Sequence, residues 1–188
     1  MTADPWPDHL LSLDEWAALP EDNAHHFELI EGELHVSPRP VFDHQRAQGK
    51  LFRQLDTQLP TDLVTLLDAE IVIRPGWPAT VRAPDLIVVP SAIADTNPAR
   101  CPAEDVLLAI EVISPGSRER DRVHKPFEYG RAGIPNYWIV DLDGPVTMTA
   151  YELVGADYKI VGKSSGTIAL TEPAPVTVDV AGLLPHRA

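Results

Sequence analysis

Residues 106–117 read VLLAIEVISPGS. From Val106 to Ile113 the run is apolar except for Glu111. A nearly continuous apolar run of this length predicts a strand covered on both faces, near the centre of a sheet. Glu111 is the residue that carries chemistry. A carboxylate buried without a partner is expensive, so the fold must supply it with a counter-charge or a metal ion. Ser114-Pro115-Gly116-Ser117 then predicts a turn leaving the strand.

Upstream, Asp85 directly follows Pro84 and opens a second apolar strand, Asp85 to Val89, which Pro90 stops. If the two strands are neighbours, Asp85 and Glu111 meet at one end of the sheet. Converging carboxylate oxygens are what Mg2+ (or Mn2+) requires, with water and a substrate phosphate completing the shell. The backbone carbonyl of Val112 is a candidate third ligand. The residues alone leave a plainer alternative open, in which Glu111 pairs with an arginine and Asp85 caps a turn.

Downstream, residues 118–125 read RERDRVHK, and a helix is predicted between Arg118 and Ala132. Asp121 and Lys125 stand four apart and share a helical face. A lysine beside an attacking water can orient it or offset charge on a phosphate. The alternative is a solvated surface pair, the usual fate of such charges. Pro126 is tolerated only near a helix start. Either the helix proper begins there, with Lys125 in its cap region, or the helix kinks.

The remaining segments fill in the architecture. Ser12-Leu13-Asp14-Glu15 reads as a capping box opening a short helix to about Leu19. Residues 27–36 read as a hairpin around Glu31-Gly32. Phe42 to Leu59 predicts a helix with Ala47, Leu51, Phe52, Leu55 and Leu59 on its apolar side and Arg46, Lys50 and Arg53 opposite. Val64 to Arg74 reads as one strand, residues 91–105 as a loop and Asn136 to Asp141 as a strand. Val146 to Leu153 and Tyr158 to Val161 form a hairpin, and the tail after Gly166 adds one or two edge strands or a loop. This order predicts an α/β domain with a mixed sheet and helices packed on it, not a regular βαβ alternation. The expected organisation is a tail and short helix over 1–24, one domain over 25–165, and a C-terminal extension over 166–188 packed on the same domain.

The chain has 188 residues, 44% of them hydrophobic, enough to bury a core without staples. Its one cysteine, Cys101, excludes an internal disulfide framework. The opening MTADPWPDH lacks a basic-then-apolar leader pattern, and no apolar run approaches a membrane span. The expected location is therefore cytoplasmic, without a membrane partner. The net charge of −13 argues against a protein that coats nucleic acid, because phosphate binding is driven by Lys and Arg.

Five segments in order, FELIEGEL (27–34), APDLIVV (83–89), LLAIEVISPGS (107–117), DRVHKPFEYGRAGIP (121–135) and NYWIVD (136–141), are similar to the Uma-two family, a branch of the PD-(D/E)XK nuclease superfamily. With the strands that follow, the resemblance spans about residues 25–160. It implies a restriction-endonuclease-like mixed β-sheet flanked by helices, with additional β-hairpins. Pro84-Asp85 would be its "PD" and Glu111 its "(D/E)". The superfamily pattern would put lysine at position 113, where this chain has Ile113. The resemblance implies that Lys125, on the following helix, stands in for it. Glu33 and His44 match positions near the site in similar proteins. Glu33 would be an extra metal ligand or hold a water, and His44 would contact a phosphate; alternatively, both bond the hairpin to the helix. Tyr129 and Trp138 fall in matched segments and read as packing residues.

The function expected is metal-dependent hydrolysis of phosphodiester bonds, in DNA, with Asp85, Glu111 and Lys125 as catalytic residues and Mg2+ or Mn2+ as cofactor. Local basic side chains would meet the substrate, Arg46 on one helix and Arg118 and Arg122 near the other. Ser114 and Asp121 would support the site. A homodimer is expected, with Val146 to Ala181 as a candidate interface, because cutting two strands takes two active sites. The alternative from a different class is a catalytically inactive nuclease-fold module that binds nucleic acid or a protein partner; the charge and Ile113 motivate it. A serine hydrolase using Ser114 or Ser117 with His124 lacks an acidic orienter and the G-x-S-x-G pattern. The acidic composition predicts weak nonspecific DNA binding that weakens further with added salt. Fluorescence anisotropy across a salt series checks this, and a flat response contradicts it.

Overall fold

The computed structural model describes residues 7–20, 25–38, 40–113 and 120–185. Ser12 and Glu15 form a reciprocal capping box at the start of α1 (Leu13–Ala17). β1 (His25–Ile30) and β2 (Glu33–Pro38) make an antiparallel hairpin. Its turn residues Glu31 and Gly32 have φ of 51° and 83°, the two left-handed positions that a two-residue hairpin turn demands. α2 (Phe42–Asp56) follows, then β3 (Leu63–Leu67), β4 (Ile71–Arg74), β5 (Thr80–Arg82) and β6 (Leu86–Pro90). After α3 (Ser91–Ala94) and the short β7 (Cys101–Pro102), the central strand is β8 (Leu108–Ile113). A π-turn over Arg120–His124 leads into α4 (Lys125–Arg131). The chain ends in β9 (Asn136–Asp141), β10 (Thr147–Val154), β11 (Asp157–Ser164), β12 (Thr167–Leu170) and β13 (Val176–Asp179).

The strands form a six-stranded sheet in the order β11-β10-β9-β8-β6-β3, a five-stranded sheet β2-β1-β5-β4-β7, and the hairpin β12-β13. β8 and β9 are parallel and α4 lies in the crossover between them, the connection that a parallel pair requires. β6 runs antiparallel to β8, with Leu86 opposite Ile110. Carrying that register one residue further sets Asp85 opposite Glu111.

Two expectations change. Val64 to Arg74 is not one strand but two, in different sheets. The break is Asp68, whose φ of 51° turns the chain. Aspartate tolerates this left-handed conformation better than most residues. The segment 91–105, expected as a loop, contains α3, β7 and a 3-10 turn. The strand β5 is too short to stand out in the sequence.

The period-two alternation of β6, β8 and β9 feeds two cores. Leu86, Val88, Leu108, Ile110, Trp138 and Val140 face Ala47, Leu51 and Leu55 of α2, and the C-terminal Ile168, Val176, Val178, Val180 and Leu183 close this layer. Ile87, Val89, Ala109, Ile113, Tyr137 and Ile139 face the other way, against Tyr129 and Ile134. Trp138 thus packs, as expected, and β12 and β13 bury their apolar residues within the chain. The other part of the expected dimer face, β11, leaves Ile160 and Val161 exposed. No helix among the described residues is long and apolar enough to cross a membrane. Leu51 is fully buried where α2 meets both the sheet and the C-terminal hairpin. Leu51→Ala should cost about 2–5 kcal/mol of stability, read as a lower urea midpoint with an unchanged slope.

Candidate active site

Asp85 and Glu111 come from neighbouring strands and are both buried, 8% and 4% exposed. Asp85 stands just before β6, where the ladder to β8 stops. Its Oδ2 accepts the Val112 N–H at 2.6 Å. A residue's N–H and C=O point off the same strand edge in an antiparallel ladder, so the Val112 carbonyl also lies on the Asp85 side. His44, from α2, brings Nε2 to 3.2 Å from Asp85 Oδ1. Burial works to lower the His44 pKa, but the hydrogen bond and charge of Asp85 overcome it and raise the group above its ordinary value. Gln48, one turn along α2, donates to both the Asp85 carbonyl and Asp68 Oδ1, each at 2.9 Å. Burial, helped by the Asp85 charge, lifts the Asp68 carboxyl above its ordinary range against that hydrogen bond.

The other face of the sheet supplies the partners of Glu111. Its Oε1 accepts from Lys125 Nζ at 2.7 Å and from the Tyr129 hydroxyl at 2.9 Å. Lys125 and Tyr129 are four apart on α4 and therefore share one face. Lys125 is 5% exposed. Its ammonium also lies 3.3 Å from Glu28 Oε1 on β1. Glu28 Oε2 accepts from Arg82 Nη1 at 3.1 Å, and Arg82 in turn grips both oxygens of Glu128 at 2.7 Å. Such fork-to-fork pairing is the strongest ion-pair geometry available to arginine. Burial alone would raise the Glu28 carboxyl, but the charges of Lys125 and Arg82 hold it down at about 2. Burial pushes the Tyr129 hydroxyl well up, with Glu111 adding to the effect, so it stays protonated and donates.

The family model described as "Putative restriction endonuclease" matches residues 13–181. The chain belongs to the Uma-two family. No curated protein matches it significantly. It is similar in fold to the crystal structure of a "putative nuclease belonging to DUF820" from Anabaena variabilis, with a TM-score of 0.63 and 19% identity, over 80% of this chain and 83% of that one.

The structure joins Asp85 to His44 and to the Val112 N–H, and Glu111 to Lys125; Asp85, Glu111, Lys125 and His44 are residues that the Uma-two resemblance singles out. Glu33 is exposed, and its ion-pair partner is His35 at 3.8 Å; the glutamate of this hairpin that reaches Lys125 is Glu28. Lys125 is no solvated surface pair, and Glu111 takes a lysine and a tyrosine rather than an arginine. Tyr129 does more than pack. Arg46 is exposed on α2. Arg122 pairs with Asp141 at 2.5 Å. Ser114, Ser117 and Arg118 lie outside the described residues, as does the side chain of Asp121. His124 is exposed. Glu28 and Arg82 carry a signal of their own, a charged residue inside an otherwise apolar strand segment (FELI, TVRAP), but nothing local says that they share a partner.

The Asp85 and Glu111 carboxylates and the Val112 carbonyl are hard oxygens, of the kind that Mg2+ or Mn2+ takes rather than zinc. Among the described residues no three His, Cys, Asp or Glu side chains converge as a cage. His44 also interacts with the Val112 backbone, which adds to the raising of its pKa. The depressed Glu28 carboxyl also makes stability pH-dependent. Its contribution, about 3 kcal/mol, is complete above its unfolded pKa near 4.5 and is lost as the pH falls through about 2. Glu28→Gln should therefore flatten the loss of stability between about pH 5 and about pH 2, as measured by urea unfolding at each pH.

Proposed function

We propose that this Uma-two family member is a metal-dependent endonuclease that hydrolyses phosphodiester bonds in DNA. The observations that support the reading are Asp85 seated against β8, its Oδ2 on the Val112 N–H at 2.6 Å, and the adjacent Glu111 holding Lys125 Nζ at 2.7 Å. Asp85, Glu111 and the Val112 carbonyl would hold Mg2+ or Mn2+. Such an ion would supply a water of lowered pKa and offset negative charge on the phosphate. Lys125 orients the attacking water and faces the charge that grows on the phosphate oxygens. Asp85 is held by the Val112 N–H and faces His44, so its carboxylate is pre-oriented. Tyr129 fixes the Glu111 oxygen that Lys125 also uses. His44 and the exposed Arg46 would meet the substrate on the α2 side. Glu33, though exposed, could hold a water of the shell. Arg118 and Arg122 would extend the contact on the α4 side, with Ser114 and Asp121 supporting the strand exit. The reading places the chain in the cytoplasm, and cutting both strands of a duplex implies a homodimer.

A second reading, a non-cleaving nuclease-fold module that binds nucleic acid or a protein, is favoured by the ion pair already made between Lys125 and Glu111 and by the charge of −13. A shared fold does not guarantee a shared activity. Incubation with plasmid DNA and Mg2+ or Mn2+ separates the two. The endonuclease reading expects cleavage that Asp85→Asn or Glu111→Gln abolishes, and that Lys125→Met slows about 100- to 1,000-fold. Mutants that cut as fast as wild type would sink the site assignment.

A further inference from the structure

The buried charges around α4 are arranged unevenly, and that unevenness bears on how a cation would enter. Lys125 Nζ is shared between Glu111 Oε1 at 2.7 Å and Glu28 Oε1 at 3.3 Å, and both carboxylate side chains are 5% exposed. Glu111 is one of the carboxylates that would hold the metal. A divalent cation on it would stand beside an ammonium in a poorly solvated site, where like charges repel strongly. The ammonium therefore has to yield, and the structure contains the acceptor that it can yield to.

Glu28 is a fixed post. The Arg82 guanidinium holds its Oε2 at 3.1 Å, and the Ala83 N–H reaches its Oε1 at 3.4 Å. Arg82 is itself clamped by Glu128 of α4, three residues beyond Lys125. The transfer of Lys125 from Glu111 towards Glu28 then asks for a rotation of one side chain and no displacement of the helix. Among the described residues, the carboxylates of Glu28, Glu111 and Glu128 meet the side chains of Arg82 and Lys125 in this cluster, with His26 also acting on Glu28. We propose that Glu28 is a positioning residue that draws Lys125 off Glu111 when that carboxylate takes a divalent cation. The role rests on the metal-dependent reading above. It assigns Glu28 no contact with substrate or metal; it acts through Lys125.

The test is Mn2+ binding by the full chain, followed by calorimetry and by the electron paramagnetic resonance of free Mn2+, in wild type, Glu28→Gln, Lys125→Met and the double variant. Glu28→Gln should weaken Mn2+ binding about 10-fold or more, the usual scale for a residue one shell out from a metal. Lys125→Met removes the competing ammonium and should bind Mn2+ at least as well as wild type. In that background Glu28→Gln should change the affinity little. Equal weakening in both backgrounds would mean that Glu28 acts through its charge or the fold alone, and would overturn the proposal. So would wild-type affinity in Glu28→Gln while binding still depends on Asp85 and Glu111, with the function reading left standing. Absence of saturable binding by wild type would overturn both. Thermal unfolding of each variant comes first. If Glu28→Gln does not fold, Glu28→Asp, which keeps the charge but retracts it from Lys125 by one methylene, takes its place with the same expected outcomes.

Discussion

The ammonium of Lys125, held out of water between two carboxylates, is the constraint on which the rest of the structure depends. Glu28 and Glu111 sit at 4% exposure inside strands whose neighbours are apolar. Breaking a buried pair by removing one partner leaves the other charge uncompensated, at a cost of several kcal/mol. The position of α4 follows from this. The helix must approach closely enough to deliver Lys125 and Tyr129 to Glu111, and Glu128 to Arg82. The hairpin β1–β2 must lie against it to present Glu28. The ion pairs thereby tie an outer sheet to the central one through a short helix.

On the opposite side of the same strands, the attachment is made by hydrogen bonds. Gln48 spans Asp68 and the Asp85 carbonyl, and the Asp68 N–H also donates to that carbonyl at 3.1 Å. Asp68 is where the chain leaves the six-stranded sheet for the five-stranded one. The turn between sheets, the start of β6 and the second turn of α2 are therefore fixed at one point, and Asp85 is that point. A carboxylate oriented in this way keeps its direction without help from a ligand, which is what a functional group needs from its scaffold.

Much of this is legible in the sequence and some is not, and the division has a physical basis. Glu111 stands out because a charge inside VLLAIEVI violates the local pattern, and Asp85 because it opens an apolar strand directly after proline. The hairpin turn and the capping box are written in adjacent residues, and the family's ordered segments carry the fold. What escapes is pairing at long range. Glu28 and Lys125 are 97 positions apart in number but share a hydrogen-bonding distance. Tyr129 looks like packing because its hydroxyl gives no local sign of its acceptor. The split of Val64 to Arg74 into two strands depends on one left-handed aspartate, a conformation that the sequence permits but does not announce.

The π-turn before α4 has a bearing on how this protein tolerates change. Val123 and His124 are exposed, and by surface criteria their identities are unconstrained, whereas the exposed Arg122 pairs with Asp141. Their number is another matter. Each residue added to or removed from a helix rotates everything beyond it by about 100°. A single deletion between positions 120 and 124 would swing the face bearing Lys125 and Tyr129 away from Glu111, and would bring Pro126 and Gly130 to their places. Evolution and engineering therefore meet an asymmetric rule along this segment: it can vary in composition while its length stays fixed.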